Sequence, residues 1–373
     1  MFTTKFTQLK ILGLIAITLM LSACYSDTSS SISGGYTELD RAIEQVVDQT
    51  IIPSVDSFQN ASEQLYSLAT RFCTTKNSEN LSLLQDQWKA ANEAWYRLLP
   101  FLIGPLEETD FLVTPAFWYI DSHRPRGNNN SATVRTDIDT MLADNKNITA
   151  AVFSSKSFEE VGLLALEITI FETAANEDQD NATILAEFIT TDRKCEILAA
   201  HSAELLRRVD LVQAGWKNNY RDTGKSYRDL LVNKKLESTF TAGDPDSTGT
   251  PAFSRIVVSV QGYYDYLGKR NVTSNSANIA QSIWPALSQS AIITRELLTG
   301  TNNTTLSLYQ LMNNGYQPDV AAIKANIDTF ESTINDNNTT DMKAAAKVLD
   351  GNFKREIPDA LNIALGINFS DGD

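Results

Sequence analysis

The chain has 373 residues, with 31 Lys and Arg against 46 Asp and Glu, a formal net charge of −15 and 42% hydrophobic residues. That is enough apolar material for a sizeable core in two ordinary domains or one large one, while so acidic a surface repels nucleic acid and anionic headgroups and argues against a nucleic-acid partner. Cationic partners or metal ions are compatible with the charge, although solubility outside the cytoplasm accounts for it without either.

The first residues are laid out as a secretory signal. Lys5 and Lys10 stand in an acid-free start, "ILGLIAITLM" is a short apolar core, and "LSAC" closes it with small residues. The apolar stretch is too short for a spanning helix. "LSAC" resembles the lipobox of bacterial lipoproteins, which implies cleavage after residue 23 and acylation of Cys24 as the mature N-terminus. Tyr25 and Ser26 follow, without the Asp that favours inner-membrane retention, so the expected address is the outer membrane, facing the periplasm. Residues 24–36, "CYSDTSSSISGGY", are too polar and too small to order themselves and read as a flexible tether. With Cys24 taken by lipid, Cys73 and Cys195 remain. In an oxidising compartment they are expected to form one bridge, the alternative being two buried thiols packed as small hydrophobes.

From Tyr36 onward the apolar spacing is helical. Leu39, Ile43, Val46, Ile52, Val55, Phe58, Leu65, Leu68 and Phe72 predict one long amphipathic helix over 37–73, kinked at Pro53. "SENLSLLQDQWKAANEAWYRLL" places Leu81, Leu84, Trp88, Trp95 and Leu98 on one stripe, and the two indoles read as core. Residues 100–130 hold four prolines and the acids Glu107, Glu108, Asp110 and Asp121, too irregular for a single element and long enough to suggest a functional segment. Helical periodicity returns in "SATVRTDIDTMLADN", in "FEEVGLLALEITIFET", and from about Asn181 to Trp216. Residues 217–252 are rich in turn formers and read as a linker. Four further helical stretches follow, including "SRIVVSVQGYYDYLGKR", whose Tyr263, Tyr264 and Tyr266 are either a binding rim or a helix face. No run alternates with period two. The expectation is an all-α protein of two tandem helical bundles, residues 37–216 and 253–373.

Within "VGLLALEITIF" a single carboxylate, Glu167, stands among Leu163, Leu164, Leu166, Ile168 and Ile170. A carboxylate buried there without a partner would cost several kcal/mol, of the order found for unpaired interior charges. Its partner must be an Arg or Lys from another helix, a Tyr or Trp donor, a proton of its own or a metal ion. The two histidines, His123 beside Asp121 and Arg124, and His201 within "ILAAHSAEL", match neither H-E-x-x-H nor H-x-x-x-H. No G-x-S-x-G and no glycine-rich phosphate loop occurs.

"GLLALEITIF" resembles the G-x-H-x-x-E segment of the imelysin family, with Gly162 and Glu167 matched and Leu164 at the histidine position. "ATRFCTTKNSENLSLLQDQWKAANEAWYRLLPFLIGP" is similar to the family's early Cys, Trp-spaced helix and Gly-Pro stop. "FWYID", with Trp118 and Asp121, resembles its Trp-Pro-Asp stretch, and "RKCEILAAHSAELL" its second Cys helix. The resemblance implies an all-helical, two-bundle fold in iron-regulated envelope lipoproteins once classed as metallopeptidases. An imidazole and a carboxylate three residues apart share a helix face and could hold one metal. Leucine cannot.

The leading expectation is therefore a non-enzymatic, lipid-anchored binding component linked to iron uptake, with membrane lipid as partner through Cys24 and iron-uptake components as further partners. Its site is expected around Gly162, Glu167, Trp118, Asp121, His123 and Arg124, with His123 or Arg124 donating to Glu167. No catalytic residue and no metal ligand is assigned, and the cofactor stays open between none and iron or another divalent metal. Two alternatives stand beside it: a metal-dependent peptidase or hydrolase using Glu167 with Asp121 and His123, and a scaffold that only holds an envelope partner.

Overall fold

A computed structural model describes residues 37–107, 115–121, 130–173, 180–240, 246, 251–274, 279–313 and 317–365. The signal segment, the tether with Cys24, and His123 and Arg124 lie outside the described residues. Among the described residues every regular element is a helix and there is no strand. From Glu38 onward the chain forms one contiguous unit.

The first helix is α1 (Glu38–Val46), followed by a π-helical turn at Val47–Ile51 and α2 (Ile52–Thr74). Just ahead of Pro53, where sequence spacing predicts a kink, the turn widens, with Ile52 N–H donating to Val47 O. A proline lacks the N–H and crowds the carbonyl four residues back, and one wide turn relieves both without breaking the helix. The next helix, α3 (Ser78–Leu98), starts on Asn77, whose side chain accepts the Asn80 N–H. Trp88 and Trp95 are both core residues: Trp88 donates to Leu163 O at 3.0 Å and meets the Phe171 ring at 5.5 Å, and Trp95 meets Phe58 at 5.1 Å.

Two short 3-10 turns (Leu99–Phe101, Gly104–Leu106) lead to α4 (Ala116–Ile120), α5 (Ser131–Ala143), α6 (Ala150–Ser154), α7 (Leu163–Phe171), α8 (Asn181–Thr190) and α9 (Asp192–Lys217). These elements form the first bundle around α2, α3 and α9. Cys73, near the end of α2, is bonded to Cys195, at the start of α9, with Cα atoms 5.5 Å apart. Short helices α10 (Tyr227–Val232) and α11 (Leu236–Thr239) follow. They lie in the segment expected to link the bundles, yet Trp216, Tyr220 and Tyr227 make a fully buried aromatic cluster there. Gly104 takes φ +55°, and a Cβ on it would lie 2.4 Å from the Tyr227 ring, so that ring lies directly on the glycine.

The second bundle is α12 (Ala252–Lys269), α13 (Ile283–Thr299), α15 (Gln317–Asn335) and α16 (Thr339–Lys354), with α14 (Leu308–Met312) and α17 (Glu356–Leu361) at its edge. Tyr263 and Tyr264 are interior, not a rim: their hydroxyls reach Ser290 Oγ at 2.6 Å and Thr294 Oγ1 at 2.9 Å. Helix α13 lies along α3, so the two bundles share a seam. Ser290 Oγ donates to Tyr96 O at 2.8 Å across it, and Arg97 pairs with Glu296.

Candidate functional site

Every residue of α7 is buried, including Glu167 at 1% exposure. Periodicity predicts a helix over the whole of 158–173, but the observed helix begins only after Gly162, which takes φ +87° and ψ −160°. That conformation is open almost only to glycine. The reason for it is spatial. A Cβ on Gly162 would lie 2.6 Å from both the Tyr119 and the Ile120 carbonyl oxygens. The glycine of the motif is thus the point where α7 meets the end of α4, and this contact sets Asp121, itself 2% exposed, beside the start of α7.

Glu167 points toward the other bundle. Its Oε1 accepts the backbone N–H of Ala280 at 2.8 Å, in the turn that precedes α13. Next to that turn, Asn92 of α3 reaches Ser282 Oγ at 3.4 Å. Among the described residues, one partner of the carboxylate is therefore a main-chain amide; the expected donors His123 and Arg124 lie outside the described residues. A charge-assisted bond to a backbone N–H in a buried seam is among the stronger hydrogen bonds available, and it offsets part of the cost of burying the carboxylate. Leu164, one turn earlier, has no exposed surface and no donor atom.

Among the described residues, no set of metal ligands assembles at this motif. Zinc needs three or four N, S or O ligands, and a catalytic site keeps a further open position. Here one motif position is leucine, the other holds an amide, and among the described residues no three His, Cys, Asp or Glu side chains converge.

The end of α4 is also clamped from α9. Arg208 stacks its guanidinium 4.3 Å over the Tyr119 ring and pairs with Glu204 at 2.7 Å, while Arg207 forks onto the same carboxylate at 2.7 and 2.8 Å. Trp118, half-buried, packs edge-on against Phe158 at 4.9 Å. At the far end of α7, Arg135 forks onto Glu172 with both bonds at 2.8 Å, and the buried Lys194 donates to Glu172 O at 2.8 Å and pairs with Glu187. Burial pulls the Lys194 ammonium below its ordinary range, with Glu187 acting against that shift. These clamps, and Ala280, escape sequence reading. "AELLRR" does carry a signal for one, since an acid three and four residues before two arginines invites pairing on one helix face.

His201 is interior, 1% exposed and stacked on Phe153 with ring centroids 4.2 Å apart. Burial, aided by the charge of Lys156, pushes it down to about 3.

Solved structures that share this fold include two from bacteria. One is the crystal structure of a putative iron-regulated protein A precursor from Parabacteroides distasonis, 14% identical, covering 88% of this chain and 97% of its own, with a TM-score of 0.64. The other is an imelysin-like protein from Psychrobacter arcticum, 16% identical, covering 89% of this chain and 98% of its own, with a TM-score of 0.61. At such identity the likeness shows the fold alone. No curated protein sequence matches the chain. The family model described as "Peptidase_M75: Imelysin" matches residues 51–303, well over half of the chain and including both the Gly162–Glu167 motif and Ala280. On that match, the chain belongs to the imelysin family.

Proposed function

We propose that this protein is a lipid-anchored component of the cell envelope that binds, and does not cleave, in the course of iron acquisition. The observation that carries the reading is the state of the motif: a leucine with no donor atom at 164, and a Glu167 carboxylate engaged by the Ala280 amide. A peptidase built on the G-x-H-x-x-E pair would need both positions for chemistry. The iron-related title of the Parabacteroides distasonis protein supports the process. The lipobox-like "LSAC" supports anchoring through Cys24, with the body in the periplasm and the outer membrane as its support. Among the described residues no helix is long and apolar enough to cross a membrane. In this reading the binding surface is the junction of Gly162 with Trp118 and Asp121, completed by His123 and Arg124, and iron-uptake components are its partners.

The test is growth under iron limitation of a strain lacking the protein, restored with wild-type, Glu167→Gln or Glu167→Ala chains. Gln keeps an acceptor for the Ala280 N–H, so it should restore growth and cost within about 1 kcal/mol of stability. Ala leaves that N–H buried without its acceptor, so it should cost about 3 kcal/mol and restore growth poorly. A Gln variant with wild-type melting behaviour and no restored growth would contradict the reading, because the charge itself would then be at work.

A further inference from the structure

Residues 150–160 cover the middle of α9. Phe153, the one buried residue of α6, lies flat on the His201 ring, 22° from parallel. Neither ring nitrogen of His201 has a hydrogen-bond partner among the described residues. A helix of five residues has almost no stability of its own, so the cover depends on its contacts. Those are the Phe153 stack, a bond from Arg208 to Ser154 O at 3.4 Å, the ion pair of Lys156 with Asp137 of α5, and Phe158 against Trp118 and Tyr119. The segment then runs directly into Gly162.

We propose that residues 150–160 form an acid-released cover: His201 can take a proton only when Phe153 lifts away, and the lifting bares Trp118, Tyr119 and the Gly162–Asp121 junction. The charged and titratable groups around the imidazole fit this. Among the described residues, Lys156, Glu159 and Glu160 belong to the cover, Glu204 and Arg208 lie one and two turns along α9, Asp137 comes from α5, and Tyr119 from α4. From α7 the only titratable group is Glu167, turned to Ala280. The buried residues of α2 that pack toward α9 include Phe58, Ser62, Leu65 and Ala69, and none of these titrates.

The sign follows from linkage. His201 sits at about 3 when covered and returns toward its ordinary 6.5 when released, so protons favour the released form as pH falls through 6.5. Asp137 acts oppositely: burial raises its carboxyl, with Lys156 opposing, so protons favour the closed form through it. Asp137 therefore works against His201, whose own contribution between pH 7.5 and 5 raises the opening equilibrium about 30-fold.

Hydrogen–deuterium exchange of the full chain at pH 7.5 and 5, corrected for the intrinsic pH dependence of exchange, reads this directly. Peptides within 150–160 should open up to about 30-fold more at pH 5, while those of α2 and α3 do not change. His201→Phe keeps the stack without a titrating group and should hold the change under about threefold, and His201→Gln serves equally if the Phe variant does not fold. An equal pH response in either variant, or a response spread over the whole chain, would overturn the proposal. Release is measured on the protein alone; only its consequence rests on the binding reading, whose own failure would appear in the growth test with this exchange pattern intact.

Discussion

Gly162→Ala is expected to lower stability by about 3–5 kcal/mol. Two costs combine. The backbone at φ +87° and ψ −160° is a region that side chains with a Cβ avoid, at about 1–3 kcal/mol. The new carbon would also sit 2.6 Å from two main-chain oxygens, which cannot rotate away as a flexible side chain could. Either α7 or the end of α4 must shift, and Asp121 and Trp118 move with it. Gly224 provides the control. It too has positive φ, +70°, but a Cβ there meets nothing within 4 Å, so Gly224→Ala should cost only about 1 kcal/mol. Thermal and denaturant unfolding of the two variants separates steric from conformational cost. If Gly162→Ala were no worse than Gly224→Ala, the contact between the motif and "FWYID" would not be what demands the glycine.

Loss of the disulfide is the second large effect. Cys73 and Cys195 are 122 residues apart, and closing a loop of that length restricts the unfolded chain by up to about 5 kcal/mol in the chain-entropy limit. The bond also fixes the start of α9, where the neighbouring Lys194 holds the carbonyl of Glu172 and with it the end of α7. Replacing both cysteines with serine, or reducing the protein, should therefore cost about 2–5 kcal/mol. Exchange at the end of α7 should rise more than exchange in the second bundle. Unchanged unfolding under reducing conditions would show that packing alone sets the position of α9.

Much of this architecture is legible locally. The stripe of Leu81, Leu84, Trp88, Trp95 and Leu98 reports a buried helix face because 3.6-residue periodicity survives wherever one side of a helix meets a core. The isolation of Glu167 in an apolar run likewise announces a buried carboxylate. Its bond to Ala280 is not legible: that amide is 113 residues away, and a main-chain donor leaves no mark in the side-chain sequence. The break ahead of α7 is hidden for a related reason, since Gly162 is dictated by carbonyls of another segment and not by its own neighbours. The stretch 217–252 reads as a linker from its small residues, whereas Tyr220 and Tyr227 bury their rings against Trp216 in a way that only the assembled fold reveals.

Central to the proposed reading is a Glu167 carboxylate that accepts from the main chain across the seam of the two bundles and ligates no metal. Metal analysis of the purified wild-type and Glu167→Gln proteins, by elemental mass spectrometry after exchange into metal-free buffer, tests it most directly. The account predicts well below one equivalent of zinc or iron attributable to the motif, with the same content in both proteins. One equivalent of metal in the wild type, lost in Glu167→Gln, would contradict it.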